Sequence, residues 1–389
     1  MATNEQKKAE AALVDAFGQH KSYLYRLSTA AASELTSEAD KVALALWRQL
    51  GEMLDGLSDA EKASFSAGKY NTPELREMRD AITAATSQIG AVVATGFAVG
   101  AASLAAYETG YAAAAVSKMM DVKPASISSE KMLKQALNSP LAGGRLVHEM
   151  LDSIAPDTKD KILLTIRAGI ASDNSNSQII RALRGTKALE YQDGIMQATK
   201  VEIERVVRTA RNHVSGVVYE ETYEALGVPY VIRSAALEGR TCVVCASLDG
   251  KVYKIGQPRP PATLHYNCRC QYIPSMTGEL MGERPFSISL KVKGRDGEST
   301  FRSVGDMTKN QREKADLKQG RVKADTSFST FFARQDEAFK QQWLGPSRYK
   351  LYAEGKLSLD RFVDPQNKMY TLDELRLRDA ETFRALFGE

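Results

Sequence analysis

Between Ala81 and Tyr107 no residue carries a charge, and the larger apolar side chains there are Ile82, Ile89, Val93, Phe97 and Leu104. They recur seven, four, four and seven positions apart, which lines one face of a helix. Just upstream, Thr72-Pro73-Glu74 supplies an N-cap, a proline at the first helical position and an acid in the first turn. Ser58 with Glu61 forms a capping box ahead of a shorter helix. The pattern predicts helices throughout residues 5–120, with Met120 to Pro124 closing the block. Shorter helical units follow. SEKMLKQALNS is closed by Pro140 and Gly143-Gly144, and DTKDKILLTIRAGIASD precedes SNSQIIRALRG. A long helix is expected from about Ala188 to Leu226, ended by Gly227 and Pro229.

The period then changes. PYVIRSAAL places β-branched and aromatic residues at near-alternating positions and reads as a strand. CRCQYIP reads as a second strand, and FSISLKVKG after Pro285 as a third. From Gly294 to Lys323 the chain is polar, charged and Gly-containing, which suits a mobile linker. Helical patterns return from Ser327, with a last helix from about Thr371. The expected fold is α+β, mostly α, with long N-terminal helices, a central helical domain, a small β-containing Cys/His knuckle and a helical C-terminal tail. The expected domains are an N-terminal helical region (1–124), a central domain with the knuckle (125–280), a basic flexible linker (281–326) and the tail (327–389).

Composition narrows the class. Hydrophobic residues make up 43% and charged residues 26% of the chain, enough for a sizeable core. Aromatics are only 7%, so that core must be aliphatic and Ala-rich, which favours helices. The net charge of +4 is too small to argue for nucleic acid by itself. Its distribution is more telling, because Lys291 to Lys323 holds ten Lys/Arg against five Asp/Glu. The N-terminal MATNEQKKAEAALVDAF has no apolar run after a basic start, so no secretory signal is expected, and synthesis in a reducing cytoplasm fits four cysteines in so long a chain. The uncharged 81–107 stretch is long enough to cross a bilayer. Most of its positions are Ala, Gly, Ser or Thr, which contribute little to insertion. A buried or oligomer-packed helix is the first reading, helped by the close approach that Gly96 and Gly100 permit. Membrane contact by 81–107 is the second.

All four cysteines fall within one short segment. Cys242 and Cys245 are three apart, and His265, Cys268 and Cys270 follow some twenty residues later. Two such clusters can complete a tetrahedral metal site across the Pro-rich loop GQPRPPATL. Cys242, Cys245 and Cys268 are the firmest ligands by spacing, and His265 and Cys270 compete for the fourth place. His265 sits three residues before Cys268, within one turn, whereas Cys270 would share a strand face with Cys268. No HExxH or HxE context offers a water-activating carboxylate. A filled Cys/His shell is structural, since catalysis needs an open position. Structural zinc is therefore expected and no catalytic residue is assigned. Disulfides are the alternative.

Several of these residues carry a family resemblance. Arg208-Thr209 on a helix, a helix end at Gly227, a strand, RTCVVCASLDGKVY and HYNCRC together resemble the phage head-morphogenesis domain named for the Mu gene F product, a minor head protein. ILLTIRAGIASDNSNSQIIRALRG resembles the helices upstream of that domain. Gln335, Phe339, LGPSRYKLYAEGKLSLDRFVD and YTLDEL resemble segments that often follow it. The resemblance covers roughly residues 140–275, more weakly the tail, and not the first 120 residues. Where the family pattern has proline after the histidine, this chain has Tyr266. The resemblance implies a low-copy minor capsid protein of a tailed phage. Such a protein is assembled in the host cytoplasm, lies inside the head beside the portal or inner capsid wall, and aids assembly and DNA packaging or ejection. The basic 291–323 stretch would meet packaged DNA through phosphates.

Two other functions are carried alongside. The family is distantly similar to ADP-ribosyltransferase folds, and an effector of that kind, delivered with the DNA, would recruit Arg208, Ser234 and Glu238. Fold likeness alone establishes no site. A DNA-binding zinc module would draw on Arg233, Arg240, Lys251, Lys254, Arg259 and Arg269 interleaved with Tyr253, Tyr266 and Tyr272.

Overall fold

A computed structural model describes residues 4–120, 127–141, 143–189, 191–294 and 297–388. The expected close of the N-terminal helical block runs from Met120, where α3 ends, to Pro124, and its part beyond Met120 lies outside the described residues. Helix α1 (Asn4–Gly56) is a single element of 53 residues, followed by α2 (Asp59–Ser66) and α3 (Pro73–Met120). Both sequence caps form. Glu61 N–H donates to Ser58 Oγ while Glu61 Oε2 accepts from Ser58 N–H at 3.0 Å, and Leu75 N–H donates to Thr72 Oγ1 at 3.3 Å. Four shorter helices come next: α4 (Ser129–Asn138), α5 (Val147–Asp152), α6 (Ile154–Ala171) and α7 (Asn176–Arg184). Helix α8 (Ile195–Ala225) starts later than the expected Ala188. The chain first makes a turn in which Asp193 Oδ1 accepts from Thr186 N–H at 2.7 Å, and Gly194 becomes the N-cap. Its end is as expected: Gly227 takes φ 70°, and Val228 N–H reaches back to the Tyr223 carbonyl.

Helices α1, α3 and α8 pack on one another and share one aliphatic core with α4–α7. The large apolar residues of the uncharged stretch, Ile82, Ile89, Val93, Phe97 and Leu104, are all buried in it. By length and composition α3 would suffice to cross a membrane. Its solvent face is mostly small uncharged residues, with Val99 and Tyr107 as the large exceptions. Gly96 lets α1 approach closely, because a Cβ there would overlap Leu35. At the centre lies a polar joint. Glu108, fully buried, meets His20 Nε2 at 3.1 Å through both carboxylate oxygens and accepts from the Tyr219 hydroxyl. The His20 ring stacks on Tyr111 at 3.7 Å. A buried carboxylate held this way ties α1, α3 and α8 together at one point.

The β-elements follow α8. Strands β1 (Tyr230–Ser234), β3 (Val252–Lys254) and β4 (Gln271–Ser275) form an antiparallel sheet with β1 central. Strand β2 (Leu237–Glu238) runs parallel to β5 (Glu283–Ile288), which pairs antiparallel with β8 (Lys318–Lys323). β6 (Val292–Lys293) and β7 (Ser299–Thr300) make a small hairpin, and α10 (Lys309–Lys314) precedes β8. Residues 281–326, read from sequence as a flexible linker, carry strands β5 to β8 and helix α10 over their described part. The physical reason is sparse anchoring: Ile288, Val292, Met307 and Ala315 are buried among many exposed charges, too few to dominate the composition.

The tail carries α11 (Phe328–Ala333), α12 (Glu337–Leu344), α13 (Pro346–Ala353), α14 (Leu372–Arg378) and α15 (Ala380–Phe387). It forms a second, aromatic core around Phe328, Phe331, Phe332, Phe339 and Phe362, joined by Leu237, Val243 and Ile288. Asp249 locks this core to the rest. Its carboxylate is fully buried, receives Arg284 at 2.9 and 3.1 Å, and accepts the amides of Ala235 (2.7 Å) and Phe328 (2.6 Å).

Candidate metal centre

The knuckle is assembled from a helix start and a turn. Cys242 is the N-cap of α9 (Val243–Leu248), and Cys245 N–H points at Cys242 Sγ at 3.4 Å. The N-terminal amides of that short helix thus favour a thiolate at Cys242. The second half turns at Asn267, which has φ 58° and donates its amide to Thr209 Oγ1 of α8 at 2.9 Å. Cys268 N–H closes this turn on the His265 carbonyl at 3.0 Å. The sequence placed His265 and Cys268 within one turn, and they lie there.

The candidate ligands converge. His265 Nε2 is 3.1 Å from Cys242 Sγ and 3.2 Å from Cys245 Sγ, and the sulfurs of Cys245 and Cys268 are 3.8 Å apart. Cys242, Cys245 and His265 form one close group, and Cys245, Cys268 and Cys270 form another, so Cys245 belongs to both. All four cysteines are free thiols, and Cys245, Cys268 and Cys270 are buried. His265 Nδ1 donates to the Tyr266 carbonyl at 2.8 Å, which leaves the Nε2 lone pair facing the sulfurs. Tyr266 is held in turn by Arg145 at its hydroxyl and Arg205 over its ring.

The donor set fits a cation. Tetrahedral zinc with sulfurs at ~2.3 Å sets them about 3.8 Å apart, the separation of Cys245 and Cys268. Without a metal the thiols must share protons. The hydrogen bond from Cys245 brings Cys242 down to about 4 and also lowers Cys268, while Cys245, as donor to both, is pushed up. Cys270 is raised as well: the Cys245 contact lowers it, but the Cys268 sulfur and burial outweigh that. Burial alone would lower His265, yet its hydrogen bonds to the Cys242 and Cys268 sulfurs raise it to about 11. A divalent ion replaces those protons and that imidazolium charge. Arg233 gives a second indication. It is fully buried, donates to the carbonyls of Pro261 and Ala262 at 2.9 and 3.1 Å, and forms no ion pair among the described residues. Burial lowers its pKa, and the sulfurs of Cys270, Cys245 and Cys268 raise it more. A zinc–thiolate centre bearing net negative charge would balance this guanidinium.

These observations allow a comparison with known proteins. Residues 160–273 match the family model described as Phage Mu protein F like protein. Over that segment the chain is similar to the Mu F-like family. The match runs from within α6 through α7, α8 and the whole knuckle to within β4. No curated protein and no solved structure gives a significant match.

The other residues singled out from sequence are scattered in role. Arg208 pairs with Glu204, and Glu238 is shared by Arg240 and Arg269; both Arg208 and Glu238 line a cleft of about 430 Å³. Ser234 lines an adjoining cleft. Arg233 and Tyr272 are buried, and Arg259 pairs with Glu220, so these three are not a solvent-facing basic–aromatic array. Lys21 of α1 was not anticipated. It donates to Asn212 Oδ1 and to the Cys270 carbonyl at 3.4 Å, and burial lowers its pKa to about 8 against the opposing pull of Cys268 and Cys270. No sequence signal near Lys21 points to the knuckle, 220 or more residues away.

Proposed function

We propose that this Mu F-like chain is a structural minor head protein of a tailed phage, lying inside the head near the portal and aiding assembly. The match over residues 160–273 carries this reading. The knuckle is its staple. Cys242, Cys245, Cys268 and His265 would hold one zinc ion, with Cys270 as the rival for the histidine's place. A bound zinc supplies a cross-link between the two halves of the loop and adds its binding energy to folding. The chain's own residues do the positioning: the Tyr266 carbonyl fixes the imidazole, the Cys245 amide supports Cys242, and Arg233 offsets the charge.

The helices suit assembly. α3 presents a long uncharged face, and four lysines are exposed beside the tail, Lys293 and Lys323 on strands β6 and β8 and Lys309 and Lys314 on α10. Those four lysines are the natural contacts for packaged DNA, by a salt-dependent attraction to phosphates. Two other cations of the basic stretch are committed elsewhere, Lys318 to Asp316 and Asp336, and Arg321 to Asp15 and Glu283. The test is fractionation of phage particles. The chain should purify with heads separated from tails and resist added protease until the head is opened. Recovery only with tails, or digestion in intact particles, would contradict the proposal.

A further inference from the structure

The cleft beside the knuckle has the chemistry of a ligand site. It lies between α1, α8, the β2 end of the second sheet and the HYNCRC turn, and its volume of about 430 Å³ is within the usual range for small-molecule sites. Five cationic side chains line it, Lys21, Arg26, Arg208, Arg240 and Arg269, against one carboxylate, Glu238. That carboxylate is divided between Arg240 and Arg269. Both guanidinium groups also lie over the Tyr25 ring, at 5.4 and 5.7 Å. The Nε–H groups of Arg208 and Arg240 are themselves buried behind the cleft wall, with no acceptor among the described residues. Five cations against one shared carboxylate call for an anionic ligand with several acceptor oxygens.

A second cleft of about 270 Å³ opens from the first, sharing Lys21, Glu238 and Arg269 with it. Its lining turns apolar, with Val14, Leu237, Ile273, Leu280 and Phe286. The two halves together match a ligand with a multiply charged end and a flat or apolar end.

We propose that this composite cleft binds a nucleotide, with its phosphates among Arg208, Arg240 and Arg269 and its base toward Leu237 and Phe286. Arg240 lies two residues before Cys242, and Arg269 lies between Cys268 and Cys270. The knuckle therefore fixes the backbone that carries two of the three arginines. The proposal stands apart from the head-protein reading, since a virion protein with or without a ligand would package alike.

The test is calorimetric titration of the full chain with ADP, inorganic phosphate and adenosine, and with a single-stranded oligonucleotide. Saturable one-to-one binding of ADP is expected, tighter than phosphate or adenosine alone. Arg208→Ala should weaken it about tenfold or more, the loss of one charged contact. Arg208 is remote in sequence from the knuckle, and Arg208→Lys, which keeps the charge, should recover part of the affinity; circular dichroism checks that both variants fold. Absence of ADP binding at millimolar concentration would overturn the proposal. So would affinity unchanged in Arg208→Ala, phosphate binding as tightly as ADP, or binding of the oligonucleotide alone.

Discussion

Replacing Asp249 by alanine should detach the aromatic tail from the rest of the chain. The carboxylate is fully buried, and Arg284 beside it has only 7% of its side chain exposed. The substitution leaves a guanidinium without its counter-ion and two amides, those of Ala235 and Phe328, without an acceptor. Breaking a buried pair from one side costs about 3–5 kcal/mol, and each orphaned buried amide about 1–3 kcal/mol. The terms overlap because the same cavity relaxes for all of them, so about 4–6 kcal/mol is expected. That is a large fraction of the ~5–15 kcal/mol typical of a domain. The chain's two tryptophans allow the effect to be located. Trp47 is in the helical core, while Trp343 stacks on Phe328 at 5.1 Å and donates to the Thr241 carbonyl at 2.8 Å. Urea unfolding followed by fluorescence in a Trp47→Phe background should show the Trp343 transition moving to much lower denaturant. Asp249→Asn keeps an acceptor and should lose less. Pairing Asp249→Leu with Arg284→Met should restore part of the loss, since no lone charge remains. An Asp249→Ala variant within 1 kcal/mol of wild type would refute the lock.

Further outcomes follow from other buried positions. His213 bridges to the carbonyls of Ala136 and Ser139 at 3.1 and 3.0 Å, and burial lowers its pKa below the ordinary 6.5. The unfolded chain then binds the proton more readily, so this contribution is complete above about pH 6.5 and is lost as pH falls toward the folded value. Urea midpoints measured between pH 7.5 and about pH 5 should fall, and His213→Gln should flatten the fall; an unchanged slope would count against it. Gly194→Ala would bring a Cβ to 2.6 Å from the Arg184 carbonyl oxygen, where backbone cannot yield, so about 1–3 kcal/mol of destabilisation is expected. Gly110→Ala in α3 meets nothing within 4 Å and should stabilise by about 0.5–1 kcal/mol in the same assay.

Local features were the readable ones. The Ser58–Glu61 and Thr72–Pro73 signals place helix starts, and Gly227 places a helix end, because each rests on backbone groups a few residues apart. The apolar face of 81–107 and the convergence of Cys242, Cys245, His265, Cys268 and Cys270 were equally visible. Strand β8 was hidden, since KQGRVK is almost wholly exposed and its pairing with β5 leaves no apolar alternation to read. The joint of His20, Glu108 and Tyr219 was hidden for another reason: its members lie 88 and 111 residues apart. The cationic cleft shares that difficulty. Lys21, Arg208 and Glu238 look like ordinary surface charges until two helices and a sheet edge bring them together.

The claim that bears most weight is that Cys242 to Cys270 is a metal staple. Elemental analysis of the purified chain, with free thiols counted under denaturing conditions, tests it directly. One zinc per chain is expected, with four titratable thiols. His265→Ala should lower zinc retention against a chelator by about 10–100-fold or more, and Cys270→Ser should lower it less. A chain with no zinc and no free thiols would contradict the account.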